Sequence, residues 1–228
     1  NVFQLAPSQS ARYNKLKDFF TGKNVIYFTS ASDDVSFVES IRKYSAKAAS
    51  LHSIRADRPE EELRSYFSSV ADNIVVVSAK NKGDIELILS KIATSKKALS
   101  SNFKIAVLGS PEFAKIDDKK KDDFFKSNTY FITSYHQDRL DESSLEFETQ
   151  YIEMFGELPN LFSYRAYDAV MLFVSAMHES ERDFADYPFD QLMRILQVNY
   201  RFLPENGHQV NQEWMLVNYA PDYTITTK

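Results

Sequence analysis

The chain has 228 residues, 43% of them hydrophobic and 14% aromatic, enough to bury a sizeable core as one large domain or two small ones, which excludes a disordered chain. The net charge is -5, and the one dense basic cluster, Lys119-Lys120-Lys121, sits inside DDKKKDD, where flanking acids cancel its field, so nucleic acid is not an expected partner. There is no cysteine, hence no disulfide or thiolate chemistry, and no run approaches the roughly 18 apolar residues of a membrane span.

The chain starts at Asn1 rather than Met and carries no signal sequence, which reads as a processed or trimmed product. VFQLAPS is extended, and SARYNKLKDFF is expected to be a helix capped by Ser8 or Ser10 and stopped near Gly22. From Asn24 short β-branched or aromatic runs alternate with amphipathic stretches. NVIYFT leads to DDVSFVESIRKYSAKA, LHSIRA to RPEEELRSYFSSVA, and NIVVVSA to KGDIELILSKIATSKKAL; KIAVLGS, KKKDDFFKS and TYFITSY follow. This alternation predicts an α/β fold, a mainly parallel sheet with helices on both faces.

Ser32-Asp33-Asp34 offers cap oxygens to the first helix, and Asp57 with Pro59 and its acids suits the start of the second, whose Leu63, Phe67 and Val70 share one face. After Tyr135 the alternation stops. SSLEFETQYIEMFGELP predicts a helix ended by Gly156 and Pro159, NLFSYRAYDAVMLFVSAMHES a long helix and FDQLMRILQVN a shorter one; RFLPENGHQVNQEWMLVNYAPDYTITT predicts strands with a turn at Glu205-Asn206-Gly207.

NVFQLAPSQSARYNKLKDFF, NVIYFTS, LGSPEF and FETQYIEMFGELPNLFSYRAYDAVMLFVSAM, in that order, resemble the type I periplasmic binding proteins of the leucine and branched-chain amino-acid receptor group. The resemblance implies two α/β lobes joined by three crossovers with a ligand clamped between them. It places residues 1–135 in the second lobe and 136–228 in a C-terminal segment of crossover, first-lobe helices and terminal strands, with the opening units of the first lobe absent. The apolar face of Val170, Phe173, Val174 and Met177 would then need another cover, a second chain through the 164–178 helix or a non-family packing, since exposing it costs several kcal/mol at about 25 cal/mol per Å².

Candidate ligand-binding residues lie at strand ends. In FTSASDD they are Ser30, Ser32 and Asp33, where free amides suit a polar group; the family usually places a Tyr-Gly pair where Asp33-Asp34 stands, and the same serine and aspartate equally serve as a helix cap. In LGSPEF they are Ser110 and Glu112, the latter near an acid that in some amino-acid receptors holds the ligand's ammonium, although Ser-Pro-Glu is also a good helix start. In SYHQD, Tyr135 with His136 falls at the second crossover, or is an aromatic packed beside a surface histidine. The resemblance makes SYRAYDAV the opening of a first-lobe helix and so implies that Tyr164, Tyr167 and Asp168 fix the helix entry beside the hinge, Asp168 favoured by the dipole, with Arg165 a surface or hinge partner.

The four histidines form no metal-ligand spacing, and no nucleophile elbow or phosphate loop occurs among five glycines, so neither an enzyme, a cofactor nor a metal is expected. The 13 tyrosines and 18 phenylalanines fall largely at periodic core positions. The expected function is a non-enzymatic, receptor-like domain of an exported, envelope-associated protein that binds a small polar ligand (amino acid, peptide or cell-wall fragment) by hinge closure. The alternative is a degenerate receptor fold used for protein interaction in cell-wall or envelope assembly, as in lipoprotein activators of cell-wall synthases and LysM-bearing proteins.

Overall fold

The computed structural model describes residues 2–116, 121–136, 141–180, 187–196 and 198–228. They form two compact units, residues 13–133 with 216–228, and residues 1–12 with 134–215, so the chain passes from one to the other three times.

The larger unit is built on strands β2 (Asn24–Thr29), β3 (Ser50–Arg55), β4 (Asn73–Val77), β5 (Ile105–Gly109) and β6 (Thr129–Thr133), extended by β11 (Met215–Tyr219) and β12 (Ile225–Thr227). Their order in the seven-stranded sheet is β12-β11-β6-β5-β4-β2-β3. β2 pairs in parallel with both β3 and β4, β4 with β5, and β5 with β6, while β12 returns antiparallel along β11. Every residue of β4 and β5 is buried. Successive side chains point to opposite faces, so both faces of the sheet are covered, which is why NIVVV and IAVLG are uninterrupted apolar runs. The sequence expectation of a mainly parallel sheet with helices on both faces holds.

Between the strands stand α1 (Val35–Arg42), α2 (Glu60–Ser65), α3 (Lys82–Lys97) and α4 (Asp122–Ser127). Asp34 caps α1 through Phe37 N–H at 3.2 Å and Asn81 caps α3 through Gly83 N–H at 2.8 Å. Asp57 does not cap α2: its carboxylate is taken by Arg55 at 2.7 Å, and Pro59 stands at the cap position. α2 also ends at Ser65, so Leu63 and Phe67 are buried but Val70, beyond the helix, is 96% exposed. The expected helix over SARYNKLKDFF is instead two 3-10 turns, Gln9–Ala11 and Asn14–Leu16, and the Ser8 side chain caps neither. Leu16 and Phe20 are nevertheless fully buried, and Gly22 ends the stretch at φ 70°.

A buried amide network ties the amino ends of β2 and β4. Asn73 donates to the Ser68 carbonyl at 2.8 Å and the Lys104 carbonyl at 3.0 Å, and accepts from Ser68 N–H at 2.7 Å and Asn24 Nδ2 at 2.8 Å. Such groups, removed from water, must be satisfied inside the fold.

The smaller unit holds a three-stranded sheet, β1 (Phe3–Gln4) beside β10 (His208–Asn211) beside β9 (Phe202–Glu205), and a hairpin of β7 (Met193–Ile195) with β8 (Val198–Tyr200). β9 and β10 turn at Asn206 and Gly207, φ 52° and 79°, the left-handed pair that a tight hairpin demands and the sequence announced. The expected helix over FDQLMRILQVN is overturned, because β7 and β8 pair antiparallel and bury Val198 and Tyr200 in alternation. Helix α5 (Glu142–Phe155) stops at Gly156, φ 74°, and α6 (Leu161–Glu179) starts on an Asn160 capping box with Ser163. The stripe that α6 buries is Tyr164, Asp168, Leu172 and Ala176. Of the face expected to be buried, Phe173 packs on Phe3 at 5.4 Å, whereas Val170, Val174 and Met177 are exposed. Trp214 donates to the Ser8 carbonyl at 2.8 Å, and the Arg12 guanidinium lies 4.9 Å over its ring.

Candidate functional site

In the larger unit the strand order reverses at β2 and β4, and open parallel sheets carry ligands at the carboxyl ends of strands beside such a point. The loops that leave β2, β4 and β5 meet there, and most of their polar groups are spent on one another. One oxygen of Asp33 accepts Ser30 N–H at 2.8 Å, Ser30 Oγ at 3.2 Å and Ser78 Oγ at 2.8 Å. Ser32 Oγ donates to Asp84 Oδ2, Lys80 N–H to the Ser32 carbonyl at 2.8 Å and Asp34 N–H to the Ser78 carbonyl at 2.7 Å. Ser110 is fully buried, its N–H on Val77 and its hydroxyl on the Ala79 carbonyl, both at 2.8 Å.

Local chemistry explains LGSPEF. An added Cβ on Gly109 would stand 2.3 Å from the Phe113 ring, which is completely buried, so only glycine lets the turn after β5 fold that ring back on the strand end. Glu112, in the 3-10 turn Pro111–Lys115, pairs with Lys115 at 2.9 Å.

Beside this knot a hollow of about 500 Å³ opens at the ends of β2 and β3 against α3, lined by Thr29, Ser30, Ala31, Arg55, Ala56, Asp57, Asp84, Leu87 and Ile88. Its rim carries both signs, the Arg55–Asp57 pair and Asp84, over an apolar wall of Leu87 and Ile88. The turn that carries Arg55 and Asp57 is held by Lys91, whose ammonium donates to the carbonyls of Ala56 at 2.6 Å and Arg58 at 3.1 Å. A pocket with convergent charged groups of both signs and an apolar wall can orient a small polar molecule.

Of the residues singled out from sequence, Ser30 lines this hollow. Ser32 and Asp33 brace its edge, Ser110 is buried beneath the neighbouring loop, and Glu112 is paired along its own turn. Arg55 and Asp84 went unread and Asp57 was read only as a helix start, because nothing local marks them as site residues; their signal is position, at or just past a strand end or in the first turn of a helix.

Tyr135 belongs to the smaller unit, in a different cluster. Its ring lies 6.3 Å from that of Tyr164, with the Arg165 guanidinium 5.7 Å from its centre and donating to Ser134 Oγ at 3.3 Å. Tyr164 donates to Glu148 and Tyr200 to Asp168 Oδ2 at 3.1 Å. Asp168 is wholly buried, not merely favoured by the helix dipole, and its second oxygen has no hydrogen-bond partner among the described residues. Burial pushes its carboxyl up to about 7, against the opposing pull of the Tyr200 hydrogen bond. The Tyr135 and Tyr200 phenols are driven far above their ordinary range, by burial first and then by the Asp168 charge. His136 is buried. Gln137 and Asp138, the rest of SYHQD, and most of DDKKKDD lie outside the described residues. No set of three or more metal-ligating side chains comes together among the described residues.

No family model and no curated protein matches the chain. Solved structures do. A protein assigned as a branched-chain amino acid ABC transporter from Rhodospirillum rubrum superposes with a TM-score of 0.55 at 16% identity, over 96% of this chain and 63% of that one. A solute-binding protein of an ABC transporter from R. palustris, in complex with benzoate, gives 0.44 at 12% identity, over 95% and 60% of the two chains. A fatty acid ABC transporter substrate-binding protein from Thermomonospora curvata gives 0.43 at 11%, over 96% and 59%. The first likeness establishes the fold, a periplasmic-binding-protein-like lobe, and the chain spans less than two thirds of that protein's length.

Proposed function

We propose that the chain is a non-enzymatic, receptor-like domain of an exported, envelope-associated protein, and that it binds a small polar ligand such as an amino acid, a short peptide or a cell-wall fragment. The observation that carries this reading is the hollow at the carboxyl ends of β2 and β3, where Arg55 suits a ligand carboxylate and Asp84 an ammonium. Similarity to a fold that serves solute-binding proteins supports it, and no described helix is long and apolar enough to cross a membrane. Calorimetry with branched-chain amino acids, short peptides and muropeptides tests the reading. The expected result is saturable heat for one class, with affinity reduced about tenfold or more in Arg55→Ala, the scale of a lost charge-assisted bond. No heat for any class, or heat indifferent to Arg55, overturns it.

A second reading, a protein-interaction module of envelope or cell-wall assembly, is favoured by a different observation. Ser32, Asp33 and Ser110 are consumed by the chain's own loops, while α5 and α6 leave Phe155, Phe162, Val170, Val174 and Met177 exposed. Apolar surface of this kind marks contact sites. One form of that contact is a homodimer through the 164–178 helix. Sedimentation of the chain beside Val174→Asp distinguishes it: a dimer that the variant dissolves supports the contact, and a monomer in both removes it.

A further inference from the structure

A second hollow, of about 280 Å³, lies at the opposite, amino ends of the parallel strands in the larger unit. Lys23 directly precedes β2, Asp72 precedes and Asn73 opens β4, Lys104 precedes β5 and Asn128 precedes β6; Lys96, from the last turn of α3, and Tyr130 complete its polar lining. Asn73 is committed to the network described above, and Asn128 Oδ1 accepts from Asn218 Nδ2 at 3.0 Å. The ionisable groups that line the space are three lysines and a tyrosine against one carboxylate, Asp72, which is itself half exposed and 3.9 Å from Lys104 Nζ. In a chain of net charge -5, this concentration of positive charge in one recess is contrary to the overall balance.

We infer that this recess is a binding site for a doubly charged oxyanion of the phosphate type. Three lysines less one aspartate leave two positive charges, which a phosphate dianion neutralises, and lysine and phenol donors match its acceptor oxygens. Two of the lysines are held in place. Lys23 Nζ lies 4.4 Å over the Phe19 ring, and Lys96 Nζ donates to the Lys126 carbonyl at 3.0 Å. Both ammonium groups are half-buried, and burial lowers their pKa; Asp72 opposes this at Lys23, but Lys228 adds to it. A bound dianion would restore the charge balance that burial has disturbed. Nothing in the hollow by β2 and β3 is shared with this recess, so the two sites stand or fall separately.

The test is calorimetry of the chain at low ionic strength with inorganic phosphate and with glycerol phosphate, beside co-sedimentation with phosphatidylcholine vesicles that contain phosphatidic acid. Saturable binding that weakens with added salt is expected. Binding in the soluble arm alone identifies a soluble phosphate compound, and retention on vesicles alone a lipid headgroup. The Lys23→Gln, Lys104→Gln double variant spares Lys96, whose ammonium braces α4, and should bind about tenfold or more weakly, with its circular dichroism unchanged. Should that variant not fold, Lys104→Gln alone, at a side chain 80% exposed, carries the same test. No saturable signal in either arm, or undiminished binding in a folded variant, overturns the inference.

Discussion

Replacing Asp168 by asparagine removes a buried charge while leaving an amide oxygen to accept the Tyr200 hydroxyl, so it should change the stability of the smaller unit only where the carboxyl is ionised. Burial holds this carboxyl at about 7 against an ordinary 3.8. The folded chain thus keeps the proton to a higher pH than the unfolded chain. Stability is fully present below about pH 4, falls as the pH rises through about 7, and is level beyond. At about 1.4 kcal/mol per pH unit the limiting loss is about 4 kcal/mol, and relaxation around the ionised group would leave a few kcal/mol of it. Trp214, the only tryptophan, is buried in the same unit as Asp168 and reports its unfolding without interference from the other. Urea titrations followed by Trp214 fluorescence should show the parent chain markedly weaker at pH 8.5 than at pH 5. Asp168→Asn should follow a flatter curve and match or exceed the parent at the alkaline end. Parallel curves for the two chains would refute the assignment, since every other group is common to both.

Gly109→Ala drives a methyl into the Phe113 ring at the end of β5 and should destabilise the larger unit by about 1–3 kcal/mol, read as a lowered thermal midpoint. Phe113→Leu in the same background should recover part of that loss, and no recovery would mean that the strain lies elsewhere. Asn73→Ala strands buried partners on Ser68, Lys104 and Asn24; a loss of about 2–4 kcal/mol is expected in urea unfolding, and a loss under about 1 kcal/mol would contradict the role given to the amide network.

Much of the larger unit was legible because a strand buried on both faces has little freedom of composition. NVIYFT, NIVVV and IAVLG are apolar at nearly every position, and the first helix between them begins at a polar cap, Asp34. Where one face is wet, the pattern is ambiguous. FDQLMRILQVN has apolar residues at spacings that suit a helix or a pair of short strands, and pairing with its own continuation chose the hairpin. In the candidate site the sequence located the loops but not the roles. Asp33 has the look of a helix cap, yet it accepts from Ser30 in its own loop and from Ser78, 45 residues on.

By itself, then, the sequence determined the alternation of strands and helices in the larger unit, the turn at Asn206-Gly207, the capping of α1 and the glycine stop of α5, all of which depend on residues within a few positions of one another. Tertiary structure alone decided that the first twelve residues join the 134–215 unit, that Arg55, Asp57 and Asp84 share one hollow, that lysines from three separate segments share another, and that Asp168 is sealed beneath Tyr200. Charge, burial and hydrogen-bond satisfaction are properties of neighbours in space, and the chain's own order does not contain them until the sheet brings its strand ends together.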